Sequence, residues 1–387
     1  MHRRRSARSD ARHAAPRGVS PRPMGRSTRR STRRSTRRTA LRVAVTGALT
    51  AGVLVVTGGP LLPVTAAGPG TAPTSVGSTG AVAGPTEELR MVAAERLRPR
   101  PAPRHVERGT AYRARTQLPA PPRVPLATWA IADLDTGEVL AAHRPRTRRQ
   151  PASTIKLLSA VTAAERIAPR ARHRVTRSEA QPASCVCVGL VPGRRYTRDA
   201  LMRATLLVSG NDAAEALAGG DPRGRAGFLR AMNREAQQLG AHDTRAVNPS
   251  GLTGEGMSST ARDLLVLLRA ALADPTVAPM LERDRAAFGP VRGPSRAIYR
   301  SNPYVEANPG SEGKTGYTRA AGFNLVVSTT VRDADGTTRR IGAAAMGAPS
   351  REASDRAVTR LTRWVAAHHD RLDALGRLPQ PPPARVS

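Results

Sequence analysis

Near its carboxyl end the sequence reads Gly322-Phe-Asn-Leu-Val-Val-Ser-Thr-Thr-Val331, then Asp333-Ala-Asp-Gly336, then Arg340-Ile-Gly-Ala-Ala-Ala-Met346. The first and third stretches are apolar and have the length of strands, and the Asp-Gly pair between them is a turn signal. Because a tight turn joins two strands only when they run in opposite directions, these stretches predict an antiparallel hairpin.

A second hairpin is predicted where the domain begins, since the strand-like run 129–142 is interrupted by turn residues at 135–137. Between the hairpins, apolar residues recur at helical spacing, and a closing helix is predicted after them. The predicted helices cover about 154–167, 198–208, 212–218, 260–273 and 351–375. Strand pairs joined by tight turns, without helical crossovers, predict a mainly antiparallel sheet. The class is therefore α+β or a mixed sandwich, with helices flanking the sheet and a helical insert between its strands.

Positive charge is concentrated at the amino terminus. The 387-residue chain has a formal net charge of +33, and residues 1–38 hold fourteen arginines against one acidic residue, Asp10. An apolar stretch at 43–56 and small residues around 64–67 follow, which is the order of a secretion signal. The segment Thr36-Arg-Arg-Thr-Ala-Leu-Arg42 resembles a twin-arginine export signal with Ala replacing the usual Phe. If the signal is not cleaved, its apolar stretch would remain as a single membrane anchor. Both outcomes predict an exported, extracellular or envelope protein at the outer face of the cytoplasmic membrane.

The composition divides the chain into four parts. These are a basic region with a signal peptide or anchor at 1–67, a disordered Pro/Gly/Ala-rich linker at 68–122, a catalytic domain at 123–376 and a Pro-rich tail at 377–387. Nucleic-acid binding by the basic arm is disfavoured because aromatic residues, on which bases stack, make up only 3% of the chain. We therefore predict no nucleic-acid partner, and membrane contact only through the N-terminal segment.

The chain has two cysteines, Cys185 and Cys187, one residue apart. A bridge between them would close a very short loop, so free thiols are predicted. Two sulfurs without a nearby pair of histidines do not complete four ligands, so we predict no metal site. No cofactor is predicted either.

Lysine is the rare basic residue of this protein. Of its 62 Lys and Arg residues, only Lys156 and Lys314 are lysines. In a chain that uses arginine wherever a positive charge suffices, a lysine indicates a need for a compact amine that can lose its proton.

Lys156 closes the motif Ser153-Thr-Ile-Lys156, which follows Pro151-Ala152. At the start of a helix this spacing places the serine hydroxyl and the amine on one face. A desolvated amine could take the serine proton near neutral pH and activate the hydroxyl as a nucleophile. From this motif alone, the alternative of an N-cap serine beside a solvated lysine stays open.

Two further motifs are candidates for substrate binding. In Lys314-Thr315-Gly316 the ammonium and the hydroxyl could hold a carboxylate, while the glycine allows close approach of the backbone. Ser209-Gly-Asn211 lies between two predicted helices, where a loop can present a hydroxyl and an amide to a cleft. Taken singly, a turn lysine and a capping turn are the alternatives.

The order Ser-x-x-Lys, Ser-x-Asn, Lys-Thr-Gly resembles that of penicillin-binding proteins and serine β-lactamases. Longer runs, including Val208-Ser-Gly-Asn-Asp-Ala-Ala214 and Asn248-Pro-Ser-Gly-Leu252, resemble the low-molecular-weight D-alanyl-D-alanine carboxypeptidases over roughly 124–375. The resemblance implies the penicillin-binding protein/β-lactamase-like fold. It also implies a serine peptidase that removes the terminal D-alanine of peptidoglycan stem peptides and is inhibited covalently by β-lactam antibiotics.

The resemblance also implies catalytic roles for three side chains. Ser153 would be the acylated nucleophile, and Lys156 would be its base. Ser209 would relay a proton to the leaving D-alanine.

For substrate binding, the resemblance implies that Asn211 holds the substrate amide and that Lys314 and Thr315, beside Gly316, bind the terminal carboxylate. The backbone N–H groups of the nucleophile and of Tyr317 would form the oxyanion hole, the kind of contact that usually lowers such barriers most.

Two alternatives to this function follow from the same residues. Class A β-lactamases carry a glutamate shortly before an asparagine, but the stretch 241–247 before Asn248 has none, and Gly210 stands where those enzymes have Asp. Penicillin is therefore expected to acylate Ser153 and stay bound. A non-catalytic cell-wall-binding protein of the same fold is the other alternative, and the intact motifs argue against it. Arg351 could assist carboxylate binding from the strand end, but in so arginine-rich a chain an ordinary surface role is favoured.

Overall fold

The computed structural model describes residues 104–107 and 109–382. The predicted signal or anchor at 1–67, most of the predicted linker and the last five residues lie outside the described residues. The strands are β1 (Arg104–Glu107), β2 (Thr110–Ala114), β3 (Thr128–Asp133), β4 (Glu138–His143), β5 (Arg172–Arg174), β6 (Arg195–Thr197), β7 (Arg285–Phe288), β8 (Arg296–Tyr299), β9 (Glu312–Thr318), β10 (Gly322–Arg332), β11 (Thr338–Ala348), β12 (Leu372–Asp373) and β13 (Gly376–Arg377).

The helices of the same residues are α1 (Lys156–Arg166), α2 (Arg177–Ala180), α3 (Arg198–Leu207), α4 (Asn211–Gly219), α5 (Gly224–Gln238), α6 (Ala261–Ala273), α7 (Ala278–Leu281), α8 (Pro303–Ala307) and α9 (Arg351–His368). Short 3-10 helices occur at Ala152–Ile155 and His369–Arg371.

The described strands form one large antiparallel sheet and two small two-stranded sheets, β5-β6 and β7-β8. The sheet order is β1-β2-β4-β3-β11-β10-β9, with β12 added to β2 and β13 to β4. The two predicted hairpins are its centre, because β3 pairs with β4 and β10 pairs with β11. The predicted α+β fold with a mainly antiparallel sheet is confirmed.

Side chains that alternate along the strands give the sheet two apolar faces. On β10, Leu325 and Val327 join the cluster that includes Trp364 of α9, whereas Val326 belongs to the cluster that includes Leu264 of α6. This alternation is the two-residue repeat of an extended strand. The sheet is therefore covered by helices on both faces.

The predicted helical insert lies between β4 and β9 and contains α1 and α3 to α6. Two of its helices, α3 and α6, and also α9 begin where the sequence indicates, partly because a hydroxyl caps their first turn. Thr197, Thr260 and Ser350 each accept a hydrogen bond from the backbone N–H three residues on. The insert packs around α1, which carries the lysine of the first motif.

The domain extends beyond the predicted boundaries on both sides. β2 lies inside the segment predicted to be a disordered linker, and it pairs with β4. The predicted closing helix ends at His368, and Leu372 then pairs with Ala114 of β2. In the predicted tail, Leu378 is buried, and Arg269 donates to the Pro379 carbonyl at 2.8 Å. β2 and β4 pair with each other only at residues 110–112 and 141–143, so the segment after His368 pairs with the remaining residues of both strands instead of continuing the helix.

Helix α5 was not predicted, because few large apolar residues mark its buried side, chiefly Phe228 and Met232. In the part of the chain that the structure describes, none of the helices combines the length and apolar character that a membrane crossing requires.

Candidate active site

Ser153 and Lys156 meet at the point where the first 3-10 helix passes into α1. Lys156 Nζ lies 2.7 Å from Ser153 Oγ, as the three-residue spacing predicts. Ala152, just before the serine, has a φ of 50°, in the left-handed region that residues with a side chain rarely occupy. Such backbone strain is concentrated at functional sites, where the surrounding packing holds it in place.

Lys156 is completely buried, and its amine has three close partners. Besides Ser153 Oγ these are Asn211 Oδ1 and the Ser250 carbonyl, both at 2.8 Å. The amide and carbonyl oxygens can only accept hydrogen bonds. In a neutral amine, two N–H bonds would therefore go to these oxygens, and the lone pair would be left to accept the serine proton.

The electrostatic setting favours that neutral form. Burial lowers the pKa of Lys156 well below its usual value, and the neighbouring Lys314 charge lowers it further. Asp212 and Glu215 act in the opposite direction but do not outweigh these two effects. The alternative of a solvated lysine beside an N-cap serine is wrong for this structure, since Ser153 makes no capping bond in its 3-10 helix and Lys156 is buried.

The Ser209-Gly-Asn211 motif connects α3 to α4 and lies beside both lysines. Ser209 has a φ of 60°, and its Oγ lies 2.9 Å from Lys314 Nζ and 3.5 Å from Lys156 Nζ. Asn211 is the first residue of α4, and its amide nitrogen donates to the Ser184 carbonyl at 2.9 Å. The hydroxyl of Ser209 thus lies between the two amines, which suits a group that relays a proton.

Lys314 lies on β9, the edge strand, with 2% of its surface exposed. Its ammonium donates to Ser209 Oγ and to the Thr315 carbonyl, both at 2.9 Å. Burial, and secondarily the charge of Arg351, lowers the pKa of Lys314 to about 7. Arg351 at the start of α9 therefore acts on the site electrostatically, beyond the surface role predicted for it.

Gly316 brings β9 against the nucleophile. A Cβ atom at this position would lie 2.9 Å from the backbone nitrogens of Ser153 and Thr154, so no larger residue fits without displacing the backbone. Tyr317 follows on the strand, its side chain 55% exposed and stacked on Phe323 with ring centroids 4.3 Å apart. The structure thus places the backbone of the Lys-Thr-Gly strand beside the Ser153 amide.

Two positioning contacts could not be predicted from the motifs. The first is the Ser250 carbonyl, held in a turn where Asn248 Oδ1 accepts from the Gly251 N–H at 2.8 Å. The second is Asn324 on β10, whose amide donates to the Pro151 carbonyl at 2.9 Å and ties the segment before the nucleophile to the sheet. The only sequence signal for either was the set of longer runs shared with the carboxypeptidases.

The prediction of free thiols is wrong, because the structure joins Cys185 and Cys187 in a disulfide. The loop curves so that their Cα atoms lie 5.0 Å apart, within the usual range for a bridge. This backbone curvature cannot be read from the spacing of the two residues.

The comparisons with known proteins point to one family. The family profile of the D-alanyl-D-alanine carboxypeptidases matches residues 115–350. D-alanyl-D-alanine carboxypeptidase DacB2 of Mycobacterium tuberculosis is 43% identical over 206 residues, which are 52% of this chain and 69% of that protein. D-alanyl-D-alanine carboxypeptidase DacD of Escherichia coli is 31% identical over 259 residues, 64% of each chain, so this match spans just under two thirds of the relative. The crystal structure of a D-alanyl-D-alanine carboxypeptidase from M. tuberculosis H37Rv has a TM-score of 0.63 and 36% identity, covering 68% of this chain and 99% of that one.

Proposed function

Because the chain belongs to the D-alanyl-D-alanine carboxypeptidase family, we propose that Ser153 is the nucleophile with which it removes the terminal D-alanine of peptidoglycan stem peptides. The family is one of serine carboxypeptidases that are acylated by β-lactams, and this chain is one of its low-molecular-weight penicillin-binding proteins. The observation that carries the assignment is the 2.7 Å contact between Ser153 Oγ and the buried Lys156 amine.

Acylation begins with transfer of the Ser153 proton to Lys156. The oxygen then attacks the carbonyl carbon of the penultimate D-alanine, and the negative charge that develops on the carbonyl oxygen is stabilised by the N–H groups of Ser153 and Tyr317. The C–N bond breaks as Ser209, bridging the two amines, passes a proton to the leaving amino group. Free D-alanine departs, and water later cleaves the ester.

The two lysines need opposite charge states for this reaction. Lys156 must be neutral to accept a proton, whereas Lys314 must be charged to hold the terminal carboxylate. A charged Lys314 itself lowers the pKa of Lys156, so the charge that binds the carboxylate also favours the neutral Lys156 that the reaction requires. In this proposal Thr315, next to Lys314 on β9, supplies a hydroxyl for the same carboxylate, and Asn211 contacts the substrate amide.

Release of D-alanine tests the function directly. The purified full-length chain, incubated with an acetylated peptide that ends in D-Ala-D-Ala, is expected to release one D-alanine per peptide. Ser153→Ala should abolish the release, whereas the matched control Ser178→Ala, at an exposed position on α2, should not change it. Equal release by the Ser153→Ala variant would refute the assignment of the nucleophile.

We further propose that the chain is exported through its basic N-terminal region and touches the membrane only there. The support is the order of arginines, apolar stretch and small residues in 1–67, together with a substrate class that lies outside the cytoplasmic membrane. Replacing Arg37 and Arg38 by lysine should retain the chain in the cytoplasm. Unchanged appearance of the variant outside the cell would contradict the twin-arginine route.

A further inference from the structure

A loop at 184–190 borders the active site without taking part in the chemistry described above. It contains neither helix nor strand, yet two of its carbonyl groups hold Asn211. Ser184 O accepts from the Asn211 side-chain amide at 2.9 Å, and Val186 O accepts from the Asn211 backbone N–H at 2.7 Å. The first half of the loop therefore fixes both the backbone and the side chain of this motif residue.

The second half of the loop is fastened separately. The buried carboxylate of Asp212 accepts hydrogen bonds from three consecutive backbone N–H groups, those of residues 188, 189 and 190, at 2.9 to 3.0 Å. These contacts do not depend on residues 184–187. Loosening the first half of the loop would leave this anchor in place.

We propose that the Cys185–Cys187 disulfide is a positioning element of the active site, which holds the Ser184 and Val186 carbonyls on Asn211 and whose reduction slows acylation of Ser153. The inference rests on the proposed function of Ser153. Each cysteine directly follows one of the two carbonyl-bearing residues, so the bridge fixes the spacing of the two acceptors.

The path from the bridge to the reaction has one intermediate residue. Asn211 Oδ1 accepts from Lys156 Nζ at 2.8 Å and is one of the two oxygens that direct the lone pair of this amine toward Ser153. When the two loop carbonyls move away, the Asn211 amide can rotate, and Lys156 loses one of its fixed partners. The expected effect is therefore on the rate of acylation.

Little effect on global stability is expected. The entropy that a disulfide removes from the unfolded chain grows with the length of the closed loop, and this loop contains a single residue between the cysteines. A stabilising role would need a longer loop, whereas a positioning role needs only the local contacts described above.

Both cysteines are exposed, so a soluble dithiol can reach the bridge. Reduction by dithiothreitol breaks one S–S bond and transfers two electrons and two protons to give two thiols, while the reagent becomes a cyclic disulfide. Because the chain has no other cysteine, the reagent can act on the protein at this one place.

The experiment measures the acylation rate of the full-length chain by fluorescent penicillin, before and after dithiothreitol and again after reoxidation. We expect the acylation rate to fall about three- to tenfold on reduction, which is the contribution of about one hydrogen bond, and to recover on reoxidation. The double variant Cys185→Ser/Cys187→Ser should show the lower rate in both conditions, with an unchanged unfolding midpoint. Asn211→Ala should be slow and insensitive to dithiothreitol, because the path through Asn211 is already broken.

Equal rates for the oxidised and reduced wild type would overturn the inference. So would a dithiothreitol effect that persists in Asn211→Ala, or two titratable thiols in the oxidised protein. Failure of the oxidised wild type to label at all would instead overturn the proposed function, and the inference with it.

Discussion

Replacing Lys156 by arginine keeps a positive charge at the centre of the site but removes the ability to give it up. The guanidinium stays protonated at every pH used for assays, whereas the amine of Lys156 has a pKa well below its usual value. The variant therefore separates a base, which must lose its proton, from a simple cation. If Lys156 is the base, Lys156→Arg is inactive.

The size of the loss follows from the contacts of the amine. A general base in hydrogen-bond reach contributes typically 10²- to 10⁴-fold, and Lys156 Nζ lies 2.7 Å from Ser153 Oγ in a fully buried position. The wider guanidinium must also fit between Asn211 Oδ1 and the Ser250 carbonyl. We therefore expect acylation to fall by at least about 10³-fold, or ~4 kcal/mol in the activation free energy.

The assay is the second-order rate of labelling by fluorescent penicillin. Lys314→Arg is the matched control, since the same substitution there keeps a cation that can hold a carboxylate, and it should retain a larger share of the rate. Lys156→Met, which removes the buried charge at similar volume, should fold and yet be as inactive as Lys156→Arg. Labelling of either Lys156 variant within tenfold of wild type would refute the base role.

Three further predictions concern the binding of the carboxylate by Lys314 and the backbone beside the nucleophile. Plotted against pH, kcat/KM for the peptide should rise as Lys156 loses its proton and fall above about pH 7, where Lys314 loses its own. A profile that stays flat to pH 9 would contradict binding of the carboxylate by a charged Lys314. Arg351→Ala removes a charge that lowers the pKa of Lys314, so the falling limb should move to higher pH, and an unmoved limb would exclude this coupling. Gly316→Ala should slow labelling by about tenfold to a hundredfold because the added methyl pushes the strand away from the Ser153 amide, whereas Gly376→Ala, with no atoms within 4 Å, should be neutral.

The sequence predicts the central elements closely because their signals are local. The hairpin strand predicted at 322–331 ends one residue later, at Arg332, and the helix predicted at 260–273 begins at Ala261. Apolar periodicity and turn residues are properties of neighbouring positions, so they can be read without knowing the fold. The motif residues Ser153, Lys156 and Ser209 likewise lie together, as their order along the chain suggested.

The parts that were missed depend on distant partners. β12 and β13 have two residues each and form only because β2 and β4 pair with each other over three residues, which leaves the rest of each strand to pair with this distant segment. The acceptor at residue 250 is a backbone carbonyl, which any amino acid would supply, so it leaves no mark in the sequence. The disulfide depends on how the loop curves around Asn211, which the spacing of two cysteines does not encode.

Mapping the penicillin adduct tests the identity of the nucleophile most directly. Trypsin should cut after Arg149 and Lys156 and release the peptide Gln150–Lys156, which contains Ser153 and one other hydroxyl, that of Thr154. After treatment of the full-length chain with benzylpenicillin, fragmentation of this peptide is predicted to place the added mass on Ser153, and none should be found in Ser153→Ala. An adduct on another residue of the wild type, or an adduct that survives in Ser153→Ala, would contradict the account.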